Sequence, residues 1–554
     1  MAIKNLKLVG DFETTTQPED VRVWASCLVN ISEKADTVFI GNDIESFMEF
    51  LSDKNSTVYF HNLKFDGEFI FSYLLTHGFR YSEEPKNRTF SVLISGDGIF
   101  YSISVIFEKL KKKYKKVVFR DSLKKLPFKV AVIAKAFDLD DEKLEIDYRA
   151  YRPRGHQLTE EEEKYIVADC RIVAQALHIQ FSQDLKKFTN ASDAMTNYKK
   201  IVGKNFDRWF PVFPLELDTD IRRAYKGGFT YLKPQHKNRR GLAGKTYDVN
   251  SLYPWAMRSC LLPWGYPVYF EGDPPEDEKY PLFIVRLACS FKVKKDHIPT
   301  IQLKKNRAFV ETEYLESSNG EIVEMTLTSV DLKLFLDHYD TDYLVYISGF
   351  KFKGQTGMFD EYIDHWMQVK EHNTGAIRQL AKLMLNSLYG RFAMNPESKK
   401  KIPYIDENGV IRYTIETEEP RDPVYTAMGC FITAYAREKT IRSAQAIYDR
   451  FIYADTDSLH IIGEEPPENL EIHPTHLGAW KDEGTFTDSL FIRQKTYMET
   501  VDGKTKVTCA GMPDNVKEQV TYDNFNADTV FTGKLRPVRY PGGIILEDTS
   551  FTIK

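Results

Sequence analysis

Asp11 and Glu13 are one residue apart, so on a strand both carboxylates leave the same face. Asp66 closes the string His61-Asn62-Leu63-Lys64-Phe65-Asp66, after the strand-like Val58-Tyr59-Phe60. Asp169 follows Tyr165 by four residues, so carboxylate and phenol share one face of a helix. Four carboxylates delivered by two strands or loops and one helix could hold two divalent ions ~4 Å apart. One ion would activate water and the other would stabilise the leaving oxygen of a phosphodiester, with Tyr165 orienting the water. Any one of these fragments alone reads as a surface or capping group. Their ordered recurrence between residues 11 and 169 is what points to a site.

A second series lies downstream. Asp248-Val249-Asn250-Ser251-Leu252-Tyr253-Pro254 reads as a short strand ending in a turn. Lys382-Leu-Met-Leu-Asn386-Ser-Leu-Tyr389-Gly390 lies on a helix predicted over 374–390. Tyr453-Ala-Asp455-Thr-Asp457-Ser458 sits between two strand-like runs that form a hairpin. Antiparallel strands would bring Asp248 and Asp457 together as a second two-metal site, one ion lowering the pKa of a 3′-hydroxyl and the other neutralising triphosphate charge. At about 100° per residue, Ile377, Ala381, Met384 and Leu388 form an apolar stripe, while Arg378, Lys382, Asn386 and Tyr389 fall on another. Cation, amide and aromatic on one exposed face suit triphosphate oxygens and a base pair.

The elements that position these residues are legible in outline. Thr37–Ile40, Thr57–Phe60 and Val117–Phe119 read as strands. Thr159 and Glu162 have capping-box spacing and open a helix that runs to Phe181. Lys109–Lys116 is a basic run that reads as a solvated hairpin tip. Residues 261–357 form a mixed insertion with strand-like pieces such as Leu282–Val285, and 395–421 a smaller one. A helix over 433–450 leads into the strand Phe451–Ala454, and the chain is strand-rich from Val507 onward. The 554 residues suggest three to five units at ~150 residues each. With 42% hydrophobic residues the chain is not wholly disordered, and a net charge of −5 neither demands nor excludes a nucleic-acid partner. Six scattered cysteines without a CxxC pair fit a reducing compartment. The absence of a signal-type start and of a long apolar run points to an intracellular, non-membrane protein.

The order DxE, Asn-x-x-Phe-Asp, Tyr-x-x-x-Asp resembles the exonuclease motifs of proofreading family B DNA polymerases, and the downstream clusters resemble polymerase motifs A, B and C. Tyr225-Lys226-Gly227-Gly228 resembles the YxGG motif that joins the two activities, and Lys495-Thr496-Tyr497 the KxY motif that grips the primer. The strings FHNLKFDG, SLKKLPF, GGFT, LAKLMLNSLYG and FTIK resemble most the phi-twenty-nine-like phage polymerases, which are primed by a terminal protein. The resemblance implies an α/β multidomain protein: a ribonuclease-H-like 3′–5′ exonuclease (1–187) and a right-hand polymerase. The polymerase would divide into palm (188–260 and 422–509), fingers (358–394) and thumb (510–554), interrupted by insertions at 261–357, associated with the terminal protein, and at 395–421.

It further implies residue roles. Asp11, Glu13, Asp66 and Asp169 would bind the exonuclease ions, Tyr165 would assist the water, and Lys143 matches a further exonuclease motif. Thr14, Tyr59, His61, Asn62, Phe65, Phe69, Ser122, Leu123 and Phe128 would hold a single-stranded 3′ end. Asp248, Val249 and Asp457 would bind the polymerase ions, with Asp455 in support. Lys370, Lys382 and Asn386 would meet the triphosphate. Tyr253 would reject a 2′-hydroxyl and Tyr389 would line the nascent pair. Tyr225, Gly227, Gly228, Ser251, Lys495 and Tyr497 would contact DNA. The implied cofactor is Mg2+, two per site, for which Mn2+ could substitute. The implied partners are primer-template and displaced single-stranded DNA, deoxynucleoside triphosphates and a terminal protein, with the chain a processive monomer in the cytoplasm of an infected bacterium. No GxxxxGK[ST] loop is present, so strand displacement would come from translocation, an insertion encircling or splitting the DNA. A DNA-primed family B polymerase and a catalytically silent DNA-binding scaffold are the rivals. The length of the first insertion argues against one and the intact acids against the other.

Overall fold

Side-chain alternation along Leu6–Thr14 puts Val9, Asp11 and Glu13 on one face and Leu8 and Phe12 on the other. The computed structural model describes residues 5–110, 113–302 and 314–554, so Lys111 and Lys112 of the basic run lie outside the described residues. Leu6–Thr14 is central in an eight-stranded mixed sheet. It runs antiparallel to Val23–Asn30 and parallel to Ser56–Phe60, which is parallel in turn to Lys113–Asp121. The helix Glu160–Ser182 packs on the Val9 face, and the helix Leu63–Thr76 shares a core with Leu8, Phe12 and Phe60 on the other. Glu160–Ser182 begins with a full capping box between Thr159 and Glu162, and its first turn carries four acidic residues.

A seven-stranded antiparallel sheet forms the second unit, in the order Lys504–Cys509, Thr496–Val501, Trp480–Arg493, Gly244–Val249, Ser458–Ile462, Phe451–Asp455, Thr230–Leu232. The helix Thr426–Ala446 lies against it, and Leu252–Ser259 follows its central strand directly. Between the two halves of this sheet in sequence stand a four-stranded sheet within 262–355, the helices Asp360–His372, Gly375–Ser387 and Tyr389–Phe392, and the hairpin Lys399–Ile405/Ile411–Thr417. A last hairpin, Val530–Tyr540/Gly543–Thr552, ends the chain.

Four local expectations are corrected. Asp66 is in the first turn of a helix, not in a loop, so the first acid set comes from one strand and two helices. Pro254 sits in the first turn of Leu252–Ser259 rather than in a turn after the strand, a position where proline lacks no hydrogen bond that the helix needs. The helix expected from 433 starts at Thr426. The one expected over 374–390 is two, Gly375–Ser387 and Tyr389–Phe392.

Candidate active sites

Asp11 and Glu13 point from their strand toward the helix that carries Tyr165 and Asp169, while the first turn of Leu63–Thr76 delivers Asp66. Burial, and then the Asp169 charge, pushes Asp11 up to about 7, opposed by Lys143. Burial, with the charges of Asp11 and Asp169, raises Glu13 far above the carboxylate range, and burial with Asp11 does the same to Asp66. Asp11, Glu13 and Asp66 are thus gathered where neighbouring acid charges make each harder to ionise. The Lys143 ammonium offsets part of this by donating to Asp169 Oδ2 at 2.6 Å. Burial pulls that lysine down, but Asp169 more than compensates. Burial and the Glu13 charge raise Tyr165, so its phenol stays protonated and can donate.

Among the described residues no three acidic, His or Cys side chains form a closed metal cage. The donor set nevertheless fits hard cations: it is all carboxylate oxygen, it carries more negative charge than Lys143 balances, and Asp169 Oδ1 is buried without a hydrogen-bond partner. A cavity of ≈ 810 Å³ opens beside it, lined by Glu13, Thr14, Phe65, Tyr148, Leu535 and Leu546. Tyr148, which sequence reasoning missed, shares a hydrogen bond with the Tyr165 hydroxyl. It lies in an irregular segment where no periodicity marks it.

The residues expected to hold a 3′ end divide into two groups. Asn62 is exposed, and Thr14, Phe65, Leu123 and Phe128 are half-buried. Asn62, in the left-handed region at φ 77°, ends the strand Ser56–Phe60 and starts the next helix. Its N–H and that of Leu123 both donate to Asp121 Oδ1. His61 is held below its ordinary pKa by burial. It donates from Nε2 to the Phe128 carbonyl at 2.7 Å and accepts at Nδ1 from the Ser122 hydroxyl at 2.8 Å. Tyr59, Phe69 and Ser122 are buried. Tyr59 packs on Phe181, Phe69 on Phe65, and Ser122 hydrogen-bonds His61.

In the second sheet Asp248 pairs in register with Ser458, next to Asp457, and the Val249 N–H donates to the Asp457 carbonyl at 2.7 Å. Burial, and then the Asp457 charge, pushes Asp248 up to about 7. Burial, opposed by its main-chain N–H and reinforced by Asp455, raises Asp457. Val249 has an apolar, buried side chain, so only its carbonyl could serve a cation. Thr456, at φ 62° between the two acids, leaves no room at Gly228, where a Cβ would lie 2.7 Å from Thr456 Oγ1. That close approach explains the second glycine of Tyr225-Lys-Gly-Gly. Gly227 is exposed and Tyr225 half-buried beside it.

Tyr253 and Tyr389 stack with ring centroids 4.0 Å apart and planes at 16°. Lys382 and Asn386 are exposed on the same helix, and Lys370 donates to Ser251 Oγ at 3.0 Å. Burial, aided by Arg378 and Lys382, lowers Lys370. Lys495, at φ 56° in the turn between Trp480–Arg493 and Thr496–Val501, donates to both Asp455 oxygens at 2.9 Å. Tyr497 stacks on Phe491 beneath it.

A family model described as DNA polymerase type B, organellar and viral, matches residues 48–154 and 145–473. The DNA polymerase of Bacillus phage B103 is 47% identical over 98% of this chain and 99% of its own. The chain belongs to the type B DNA polymerases of organelles and viruses. Its fold agrees with that of phi29 DNA polymerase complexed with primer-template DNA and incoming nucleotide substrates, at a TM-score of 0.95 and 45% identity, covering all of both chains. The same enzyme complexed with single-stranded DNA gives 0.95 at 44%, again over both whole chains. The chain is therefore a DNA-directed DNA polymerase of multidomain α/β fold. The eight-stranded sheet is its ribonuclease-H-like domain, the seven-stranded sheet lies in the right-hand polymerase, and two insertion subdomains interrupt the latter. Enzymes of this family use divalent metal ions. No helix of the described residues is long and apolar enough to cross a membrane.

Proposed function

We propose that this polymerase has two separate phosphodiester sites, extends a primer at one and trims its 3′ end at the other, and starts synthesis on a hydroxyl side chain of a terminal protein. The observation that carries the two-site reading is that two clusters of buried or half-buried, mutually repelling acids belong to different parts of the fold, one at the eight-stranded sheet and two helices packed on it, the other at the seven-stranded sheet. One comprises Asp11, Glu13, Asp66 and Asp169, the other Asp248 and Asp457. The proposed division is exonuclease 1–187, palm 188–260 and 422–509, fingers 358–394, thumb 510–554, with insertions 261–357 and 395–421.

Divalent ions, Mg2+ above all, when held by these acids and the Val249 carbonyl, would polarise phosphoryl oxygens and make the attacking water or 3′-hydroxyl more acidic. The remaining work falls to the chain. At the trimming site protonated Tyr165, steadied by Tyr148, orients the water, and Lys143 balances the charge of Asp169. Asn62, Phe65 and Leu123 hold the frayed strand, Phe65 by sequence-tolerant stacking. At the extending site Lys370 and Lys382 draw the triphosphate, and Asn386 adds an amide contact. Tyr253, pinned face-to-face by Tyr389, fills the space that a 2′-hydroxyl would need, and Lys495 and Tyr497 seat the primer over Asp457.

Protein priming is supported by near full-length similarity to phage polymerases and by the insertion of 261–357. Processive, strand-displacing synthesis by a monomer is supported by the second insertion's hairpin, which docks on the exonuclease sheet through Gly96 N–H to the Lys399 carbonyl and Lys400 to Glu83. The chain, a phage terminal protein and a labelled deoxynucleotide with Mg2+ should yield label that stays with the terminal protein in a denaturing gel. Label on neither protein would remove the priming part of the proposal.

A further inference from the structure

The strand Trp480–Arg493 serves two partners. Its first half pairs with Gly244–Val249, which carries Asp248, and its second half with Thr496–Val501, which follows Lys495. It therefore folds the Lys495 turn back over the acid-bearing strands, where the Lys495 N–H donates to the Tyr453 hydroxyl at 2.9 Å. Two side-chain ties hold this overlay. The outer one, Lys495 to Asp455, has its lysine 54% exposed, so solvent and salt weaken it. The inner one is buried. His460 Nδ1 donates to Glu499 Oε1 at 2.7 Å, with the side chains 2% and 6% exposed, and lies 3.3 Å from Thr246 Oγ1.

Each member of this buried set stands close to a residue of the reaction. Thr246 precedes Asp248 by two residues on the same strand face and is the register partner of His460. His460 follows Asp457 by three residues. Glu499 follows Tyr497 by two, again on one face. The His460 ring fills the space between Tyr453, Phe491 and Tyr497, with centroids 5.4, 5.5 and 5.1 Å away. A slide of the turn would pull the buried Glu499 carboxylate off its hydrogen bond to His460, which is a steep penalty for a small movement.

We infer that His460 and Glu499 are positioning residues that fix the Lys495-Thr496-Tyr497 turn relative to Asp248 and Asp457, and so set where a primer terminus lies at the extending site. This rests on the reading of that turn as the primer seat. The pair hydrogen-bonds to none of Asp248, Asp455 and Asp457, and acts through Tyr497 and the turn.

A purely structural pair can be replaced by apolar side chains of similar volume without loss, whereas a positioning pair cannot. The test therefore uses the full chain carrying His460→Leu with Glu499→Leu. It should melt like the parent and trim single-stranded DNA at the parent rate. It should bind primer-template about tenfold more weakly, with the KM for the incoming deoxynucleotide unchanged. Glu499→Gln, which keeps an acceptor of the same reach, should restore binding. A double variant that melts and binds like the parent overturns the inference. Should the double variant melt early, Glu499→Asp decides, because it keeps the charge but shortens the reach by one methylene. Weaker primer binding is expected of it, and parent-like binding overturns the inference. Lys495→Ala, run alongside, must weaken primer binding by itself. If it does not, the reading of the turn has failed rather than that of the pair.

Discussion

Replacing Arg539 by alanine should release the C-terminal hairpin from the exonuclease domain. Glu68, fully buried on the helix Leu63–Thr76, accepts at Oε1 from Arg539 Nε at 2.8 Å and from the Tyr413 hydroxyl at 3.0 Å, while its Oε2 is buried without a partner. The Arg539 guanidinium lies 4.9 Å above the Tyr413 ring. One carboxylate thus joins the exonuclease domain, the second insertion and the last hairpin. The hairpin tip is close-fitting as well, since a Cβ at Gly542 or Gly543 would come within 2.3 Å of the Val21 carbonyl or the Phe69 ring. Arg539 is one-third exposed, so screening discounts the pair's own attraction, but stranding a buried carboxylate costs ~3–5 kcal/mol. A tip that can leave will do so instead, a shift of at least about a hundredfold toward the released form. Burial raises Glu68 even against Arg539 and Tyr413. A raised acid contributes stability that is complete below the ordinary carboxylate range and is lost as pH rises through its folded-state value. Without Arg539 that value climbs further, so release should grow toward alkaline pH, and Glu68→Gln should reverse it. Hydrogen exchange over 63–76 and 543–552, with processivity against a DNA trap, reads this directly. Parent-like exchange in Arg539→Ala, or no recovery on adding Glu68→Gln, would refute the reasoning.

Three further outcomes are expected. Asp11→Ala with Asp66→Ala should abolish 3′ trimming and leave primer extension intact, measured on one labelled primer. Asp11, pushed up to about 7, holds a proton at lower pH that must leave before a cation binds. The Mg2+ needed for half-maximal trimming should therefore rise as pH falls from about 8 to about 6, by up to about tenfold per unit for each proton displaced; a flat requirement would contradict this. Tyr253→Ala removes the ring stacked on Tyr389, so ribonucleotide incorporation should rise by at least about tenfold relative to deoxynucleotide, and an unchanged ratio would oppose the steric reading.

Local chemistry was legible where a short period carried it. Two-residue spacing put Asp11 and Glu13 on one face, and four-residue spacing put Tyr165 beside Asp169. The exposed Lys382 and Asn386 and the buried Met384 and Leu388 fall as their helix stripes indicate. Asp66 follows a strand and its turn too closely for a periodic pattern to mark the helix it opens, and Gly67 lies inside that helix where Phe100 and Ile103 press close. The first turns of Thr426–Ala446 are buried on every side, which erases the amphipathic pattern that would mark their start. A motif does not say how deeply its aromatics are set, and Tyr59 and Phe69 are both buried. Contacts between distant segments had no local signature. Glu68 meets Tyr413 and Arg539 across 345 and 471 residues, and Lys495 meets Asp455 across 40.

The two-site claim meets its most direct test in Asp457→Ala, run beside the parent on a 5′-labelled primer annealed to a longer template with Mg2+, with and without deoxynucleotides. The parent should shorten the primer without nucleotides and fully extend it with them, whereas the variant should shorten it in both cases. A variant that loses trimming together with extension, or that still extends, would contradict the account.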